Sequence, residues 1–271
     1  MSVMIFDIET VPDCKIGREN FKINDELDPY SIMKAMISIH KQQQSINGNP
    51  YPSGFLPQYM HQVVAISVLI RDQDNIKVWS LGDESSSEKE LIERFFTGLD
   101  KYAPVLVSWN GTGFDLPVLN HRALLHQVSS TKYWDQGFFD SNFKWNNYQN
   151  RYHQRHIDVM DSLSMHQPRA NAPLNDIAMG LGFPGKMGLD GNMVMDMYAK
   201  GEIKTIRDYC ETDVLNTYLT YLAFSRIRNH NSALNIEEEH LTLRSYLEQE
   251  NKTHFNEFLE NWNNNEKQTD Q

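Results

Sequence analysis

Residues 3–13 read V-M-I-F-D-I-E-T-V-P-D, and the fold turns on how they are read. Val3 to Ile8 is a short apolar run followed by the turn signal Val11-Pro12-Asp13, the pattern of a strand buried in a sheet. Yet the run carries Asp7 and Glu9. Strand side chains alternate faces with a period of two, so both carboxylates point the same way at the strand's C-terminal end. Two like charges so close repel unless they share a proton or hold a cation between them.

Working outward, residues 14–57 form a long polar connection that includes Gln42-Gln43-Gln44, with one short helix expected over Ser31–His40. Val63–Ile70 and Ile76–Leu81 read as a hairpin across Asp72-Gln73-Asp74-Asn75. Ser85-Ser86-Ser87-Glu88 leads into an amphipathic helix over Glu88–Lys101, with Leu91, Ile92, Phe95, Phe96 and Leu99 on one side. Pro104–Trp109 is a second buried strand, ending at Asn110-Gly111-Thr112-Gly113, and Phe114–Leu125 follows as a helix. Residues 128–155 are irregular and aromatic-rich. His156–Leu163 reads as a strand or strand edge, Leu174–Leu181 as a helix closed by Gly182, and 184–192 as a loop. Val194–Lys200, Ile203–Arg228 and His240–Trp262 read as helices, and the polar end beyond them as disordered. A strand, a hairpin, a helix, a strand and then mostly helices fits an α/β domain with a mixed central sheet flanked by helices.

The totals narrow the choice. A chain of 271 residues is long for one domain and short for two, which suits one domain with embellishments. No apolar stretch approaches the ~20 residues that span a bilayer, and the N-terminus lacks the basic segment and apolar core of a signal peptide. Cys14 and Cys210 are too few and too far apart for a disulfide framework or a zinc cluster. A cytoplasmic protein without a membrane partner is expected. The net charge of −11 argues against broad binding to phosphate backbones. Any nucleic-acid contact should be short, at a strand end.

Two further acidic features join the first. In V-S-W-N-G-T-G-F-D-L-P-V-L (107–119) a buried strand runs through a glycine-broken turn into a helix start carrying Asp115. Such strand-to-helix junctions are where open α/β sheets place ligands, although an Asp there also caps a helix. In R-D-Y-C-E-T-D-V-L (207–215) Tyr209 and Asp213 stand four apart, one above the other on a helix face.

Asp-x-Glu on a first strand, Asn-x4-Asp after a buried strand and Tyr-x3-Asp on a late helix, in that order, resemble the three motifs of the DEDDy 3′-5′ exonucleases, which have a ribonuclease H-like fold. The stretches H-Q-V-V-A-I-S-V-L-I, H-I-D-V-M-D-S-L and L-N-D-I-A-M-G-L-G-F-P-G-K are similar to the stand-alone bacterial members that resemble the exonuclease domain of B-family polymerases. The resemblance spans about Met1 to Arg228. It implies an exonuclease domain over 1–230 with an insertion at 14–57, a C-terminal helical extension over 231–262 and a disordered tail over 263–271.

It also implies roles. Asp7, Glu9, Asp115 and Asp213 would hold two Mg²⁺ or Mn²⁺ ions, and Tyr209 would orient the attacking water. Ile8 and Thr10 would lie near the terminal nucleotide, with Asn110 and Phe114 along the strand path. The implied substrate is the 3′ end of single-stranded nucleic acid, with DNA ahead of RNA and nucleoside 5′-monophosphates as products. DNA repair is the class of process such an activity serves. Protein partners are not readable from the residues.

Other candidates carry plainer readings. His153 and His156 read as surface or edge histidines, and Arg151 and Arg155 as a local basic patch able to guide a phosphate backbone. Asp158 reads as a strand end supporting the site, Lys186 as a solvated loop lysine ahead of one that reaches a phosphate, and Met33 and Met36 as core. The insertion at 14–57 is expected to narrow the strand entrance. The rivals are an exoribonuclease, a small-nucleotide phosphohydrolase, and a silent binding module that keeps the fold without catalysis.

Overall fold

The computed structural model describes residues 2–24, 26–72, 75–188, 191–228 and 235–269. Strand β1 spans Val3–Pro12 and is followed by helices α1 (Cys14–Phe21) and α2 (Pro29–Ile46). Strands β2 (His61–Asp72) and β3 (Asn75–Ser80) come next, then α3 (Glu88–Tyr102), β4 (Val105–Ser108), α4 (Asp115–His126) and the short α5 (Thr131–Trp134). After β5 (His156–Asp158) come α6 (Val159–Leu163), α7 (Leu174–Gly180), α8 (Val194–Ala199), α9 (Ile203–Arg228), α10 (Ile236–Glu250) and α11 (Thr253–Thr269).

The five strands form one sheet in the order β3-β2-β1-β4-β5. β1 pairs antiparallel with β2 and parallel with β4, and β4 pairs parallel with β5. This is an α/β fold with a mixed sheet and flanking helices, consistent with a ribonuclease H-like exonuclease domain. Alternation along β1 divides the core. Met4, Phe6 and Ile8 pack with α3 and α4, through Phe95, Leu99, Leu116 and Leu119 among others. Ile5 packs on the other face with Val214, Leu215 and Leu219 of α9. Asp7 and Glu9 therefore look toward α9. A bulge between Glu9 and Thr10 shifts the register with β2 only after both acids are set.

Several elements differ from the sequence expectation. Residues 14–57 hold two helices, and α2 is far longer than Ser31–His40. The polar composition hides an inward stripe of Ile32, Met33 and Met36, and Gly17 lets α1 approach so closely that a Cβ there would sit 2.3 Å from the Met36 sulfur. The helix expected over His240–Trp262 is broken at Asn251, which closes α10 in the left-handed region (φ 50°). Nor does order stop at 262. α11 runs to Thr269, with Arg244 bonded to Asn263 and Glu266, and Asn265 bonded to the Phe183 carbonyl. Gln73 and Asp74 of the expected hairpin turn, and Leu189 and Asp190 of the loop at 184–192, lie outside the described residues. So do residues 229–234, 270 and 271.

α10 and α11 are packed into the main core. Leu243, Leu247, Phe255, Phe258 and Trp262 share one buried cluster with α9. Behind α9, the buried Glu211 accepts hydrogen bonds from the Ser80 amide (2.9 Å), Lys252 Nζ (3.0 Å) and His254 Nε2 (2.8 Å). Among the described residues no helix is long and apolar enough to cross a membrane.

Candidate active site and metal centre

Five side chains from three distant parts of the chain meet at the middle of β1, which runs to Pro12 and so past the strand end expected at Ile8, just beyond the stretch of it that β4 pairs. Asp7 and Glu9 come from β1. Asp115 opens α4, reached through a turn in which Asn110 takes the left-handed backbone (φ 64°) that Asn tolerates better than most residues. Gly111 is required there, since a Cβ would stand 2.2 Å from Ser108 Oγ. Tyr209 and Asp213 lie one turn apart on α9, and the Tyr209 hydroxyl is hydrogen-bonded to Asp213.

Asp158 fixes the turn from β5. Its carboxylate accepts from the Asn110 amide (3.1 Å), the Thr112 amide (2.8 Å) and the Thr112 hydroxyl (2.5 Å). Next to it His156 is buried, against the surface reading, and its Nε2 meets Ser108 Oγ at 2.8 Å. Burial pushes its pKa down to about 4, so the ring is neutral. Arg155 is also buried. It bonds the Asn146 and Ala103 carbonyls and covers the Phe143 ring, so it is structural and not part of a phosphate-guiding patch.

The carboxylates feel one another. Burial raises the Asp7 carboxyl well above its ordinary value, and the charges of Asp115, Glu9 and Asp213 raise it further. Glu9 is raised by burial, then by Asp213 and Asp115, with Lys186 opposing. Burial pushes Asp115 up to about 7 against backbone hydrogen bonds at its own residue and at Ile8. It pushes Asp213 up to about 6 against the Tyr209 hydrogen bond and Lys186. Burial and the same acids drive the Tyr209 phenol far above its usual range. At neutral pH it is a hydrogen-bonding hydroxyl and not a base.

One residue of the site, Cys210, was not read from the sequence, and a second, Lys186, was ranked lower than its position warrants. The ligating atoms of Asp7, Glu9 and Cys210 lie within 4.8 Å of one another, and Cys210 Sγ sits 3.6 Å from Asp7 Oδ2. Burial and the Asp7 charge push this thiol up, so it stays protonated and acts as a donor to Asp7. Its sole sequence signal is adjacency to Tyr209. Lys186, set aside as a solvated loop residue, is exposed but lines the clefts on both sides of the acids, with its ammonium 6.0 Å from the Tyr209 ring centre. A set of crowded carboxylates with a neutral thiol is a hard-oxygen donor set, which fits a divalent cation of the Mg²⁺ or Mn²⁺ kind better than a thiolate-seeking metal.

On the Glu9 side a cleft of about 610 Å³ is lined by Ile8, Thr10 and Phe114 together with Ile37 and residues 53–56. Three rings meet there, Phe55 to Phe114 at 5.3 Å, His61 to Phe114 at 5.0 Å and Phe55 to His61 at 5.3 Å. His61 Nε2 lies 3.1 Å from the Leu56 carbonyl, so it carries the proton, and Nδ1 accepts from the Thr10 hydroxyl at 2.9 Å. On the Asp7 side a cleft of about 460 Å³ is lined by Asp213, Asn110, Trp109 and Lys186.

A mixed five-stranded sheet with acids on its first strand, after its fourth strand and on a late helix fits a nuclease of the ribonuclease H-like class. The chain belongs to the family of predicted 3′-5′ exonucleases related to the exonuclease domain of PolB, which it matches over residues 53–262. The match includes Asp115, Tyr209 and Asp213, and begins after the residues of β1. No curated protein matches the chain. Membership implies a nucleic-acid substrate and dependence on divalent metal.

Proposed function

We propose that this chain is a cytoplasmic 3′-5′ exonuclease of the DEDDy type, removing nucleotides from the 3′ end of single-stranded DNA as nucleoside 5′-monophosphates. The observation that carries the reading is the convergence of Asp7, Glu9, Asp115 and Asp213 into one mutually repelling group, with Glu9 and Asp115 buried, Asp7 and Asp213 half-buried, and the Tyr209 hydroxyl beside Asp213. These four acids would hold two Mg²⁺ or Mn²⁺ ions, which supply water activation and stabilisation of the leaving 3′ oxygen when bound.

The remaining tasks fall to the protein. Tyr209 keeps its proton on the Asp213 side, leaving the phenolic oxygen free to accept a hydrogen bond from the attacking water and orient it. Lys186, between the two clefts, offers a cation to the phosphate being cut. Ile8, Thr10 and Phe114 line the cleft for the terminal nucleotide, where the ring faces give a base a sequence-tolerant seat. Asn110 lines the path on the other side. An acidic protein that grips a few nucleotides at an end has no need of a broad basic surface, which fits the net charge of −11.

The test is a time course on 5′-labelled single-stranded DNA and matched RNA with Mg²⁺ or Mn²⁺, beside Asp7→Ala and Asp213→Ala. The expected result is a DNA ladder shrinking from the 3′ end and abolished in both variants. A ladder on RNA alone would make the chain an exoribonuclease, and binding without cleavage would make it a silent binding module.

A further inference from the structure

A third cleft, of about 880 Å³, is larger than the two that flank the acids and takes no part in the function proposed for them. It is continuous with the carboxylate cleft, because Asn110, Met160 and Asn171 line both. Its far wall is the segment around 136–153, where Trp145 and Tyr152 are 77% and 72% exposed. Lys144 holds its ammonium 5.1 Å from the Trp145 ring centre, and the Tyr152 ring meets His166 edge-on at 5.3 Å. The acids in this cleft are already engaged. Asp158 holds the turn at 110–112, and Asp161 accepts from Arg151 (2.6 Å) and His166 (2.9 Å).

The local composition departs from the rest of the chain. Residues 128–171 carry five Lys and Arg against four Asp, within a protein of net charge −11, and include eight Phe, Trp and Tyr. The segment is also fixed in place. Asp135 accepts four backbone amides, from Gly137, Phe138, Phe139 and Asp140, and Tyr133, Phe143 and Tyr148 are buried beneath it. A rigid support that presents two aromatic side chains beside cations, in a groove leading away from the site, has the chemistry of a single-strand stacking platform.

We propose that this cleft binds the single strand on the 5′ side of the bond that is cut, with Trp145 and Tyr152 stacking on upstream bases and Lys144 facing the phosphates. The assignment of direction rests on the exonuclease reading. The terminal nucleotide takes the cleft roofed by residues 53–56, and the rest of the strand leaves on the opposite side, past Asn110. The enzyme then favours strands long enough to reach Trp145, although only one end is cut.

The test compares kcat/KM on four-nucleotide and twelve-nucleotide single strands, as DNA and as RNA, for wild type and the Trp145→Ala/Tyr152→Ala double variant. Both residues are exposed, and a thermal melt checks that the variant is folded. The ratio of kcat/KM, long over short, is expected to be about ten or more in wild type and to fall about tenfold, toward one, in the variant, the scale of losing a stacked base. A second measurement, anisotropy of a labelled twelve-mer with the metal chelated, is expected to show about tenfold weaker binding by the variant. An unchanged ratio with unchanged binding overturns the proposal, as does failure of the intact protein to bind the twelve-mer. If the intact protein cuts neither length, the exonuclease reading fails, and the anisotropy comparison still decides whether the cleft binds a strand.

Discussion

The Thr112 hydroxyl donates to Asp158 Oδ2 at 2.5 Å, which ties the turn before Asp115 to the end of β5. One carboxylate thus sets the approach of α4 to β1, the strand that carries Asp7 and Glu9. Asp158→Ala leaves the amides of Asn110 and Thr112 without their acceptor in a half-buried turn, at a cost of about 1–3 kcal/mol for each stranded group. The expected outcome in urea unfolding is a destabilisation of at least about 2 kcal/mol, with kcat falling more than KM rises. Wild-type kcat in a destabilised variant would mean that the turn does not position Asp115.

The gathered acids make a second prediction. Asp115 and Asp213 are raised to about 7 and about 6, and Asp7 and Glu9 are raised as well, so the folded metal-free protein binds more protons than the unfolded chain between about pH 4 and 7. The contribution of these groups to stability therefore falls as pH rises through that window. A divalent cation offsets their repulsion and displaces their protons. The gain in Tm on adding Mn²⁺ to chelator-treated protein is expected to be larger at pH 8 than at pH 5.5. An equal or smaller gain at pH 8 would count against metal binding by these acids.

Glu211 works on stability from the opposite side of α9. Burial alone would raise its carboxyl, yet the hydrogen bond from His254 and the bonded Lys252 charge hold it below the ordinary range. Its stabilising contribution is present above the unfolded carboxylate value of ~4.3 and is lost as pH falls through the lower folded value. Glu211→Ala strands Lys252, His254 and the Ser80 amide, and is expected to cost about 3–5 kcal/mol at neutral pH. That gap from wild type should narrow in acid. A gap that stays constant down to pH 3 would contradict the assignment.

The insertion is tested through one ring. Met33 shares one buried cluster with Val11, Tyr209 and Cys210, so removing residues 14–57 would disturb the site itself. Phe55 is 60% exposed and touches the rings of Phe114 and His61. Phe55→Ala is expected to raise KM for single strands several-fold, the scale of an aromatic pair worth about 0.5–1.5 kcal/mol, and to lessen the preference for single strand over duplex. Unchanged KM and unchanged preference would leave the insertion a purely structural role.

Where sequence reading succeeded, local pattern and tertiary packing agree. The alternation in β1 places Met4, Phe6 and Ile8 against Asp7 and Glu9, and the apolar stripe of α9 runs over Ile203–Arg228 as expected. It failed where packing overrides composition. Ile32, Met33 and Met36 are a narrow stripe inside a polar stretch, and only contact with Leu56, Met60 and β1 makes it a core. The break at Asn251 has no Gly or Pro to announce it. Cys210 and Lys186 join the acids through contacts between residues far apart in the chain, which no local spacing encodes. His156 and Arg155 look like surface residues by type, and are buried because Ser108 and two backbone carbonyls satisfy them.

Cys210 touches Asp7 across 203 positions of chain. A polypeptide emerging during synthesis therefore carries Asp7 and Glu9 long before it has Tyr209 and Asp213, and β1 must wait for β4 before its parallel edge is paired. Loop closure over such separations is late and slow. The cluster of acids is thus incomplete on nascent chains until α9 docks, after nearly all of the sheet has formed, and the activity proposed for it would arrive only then.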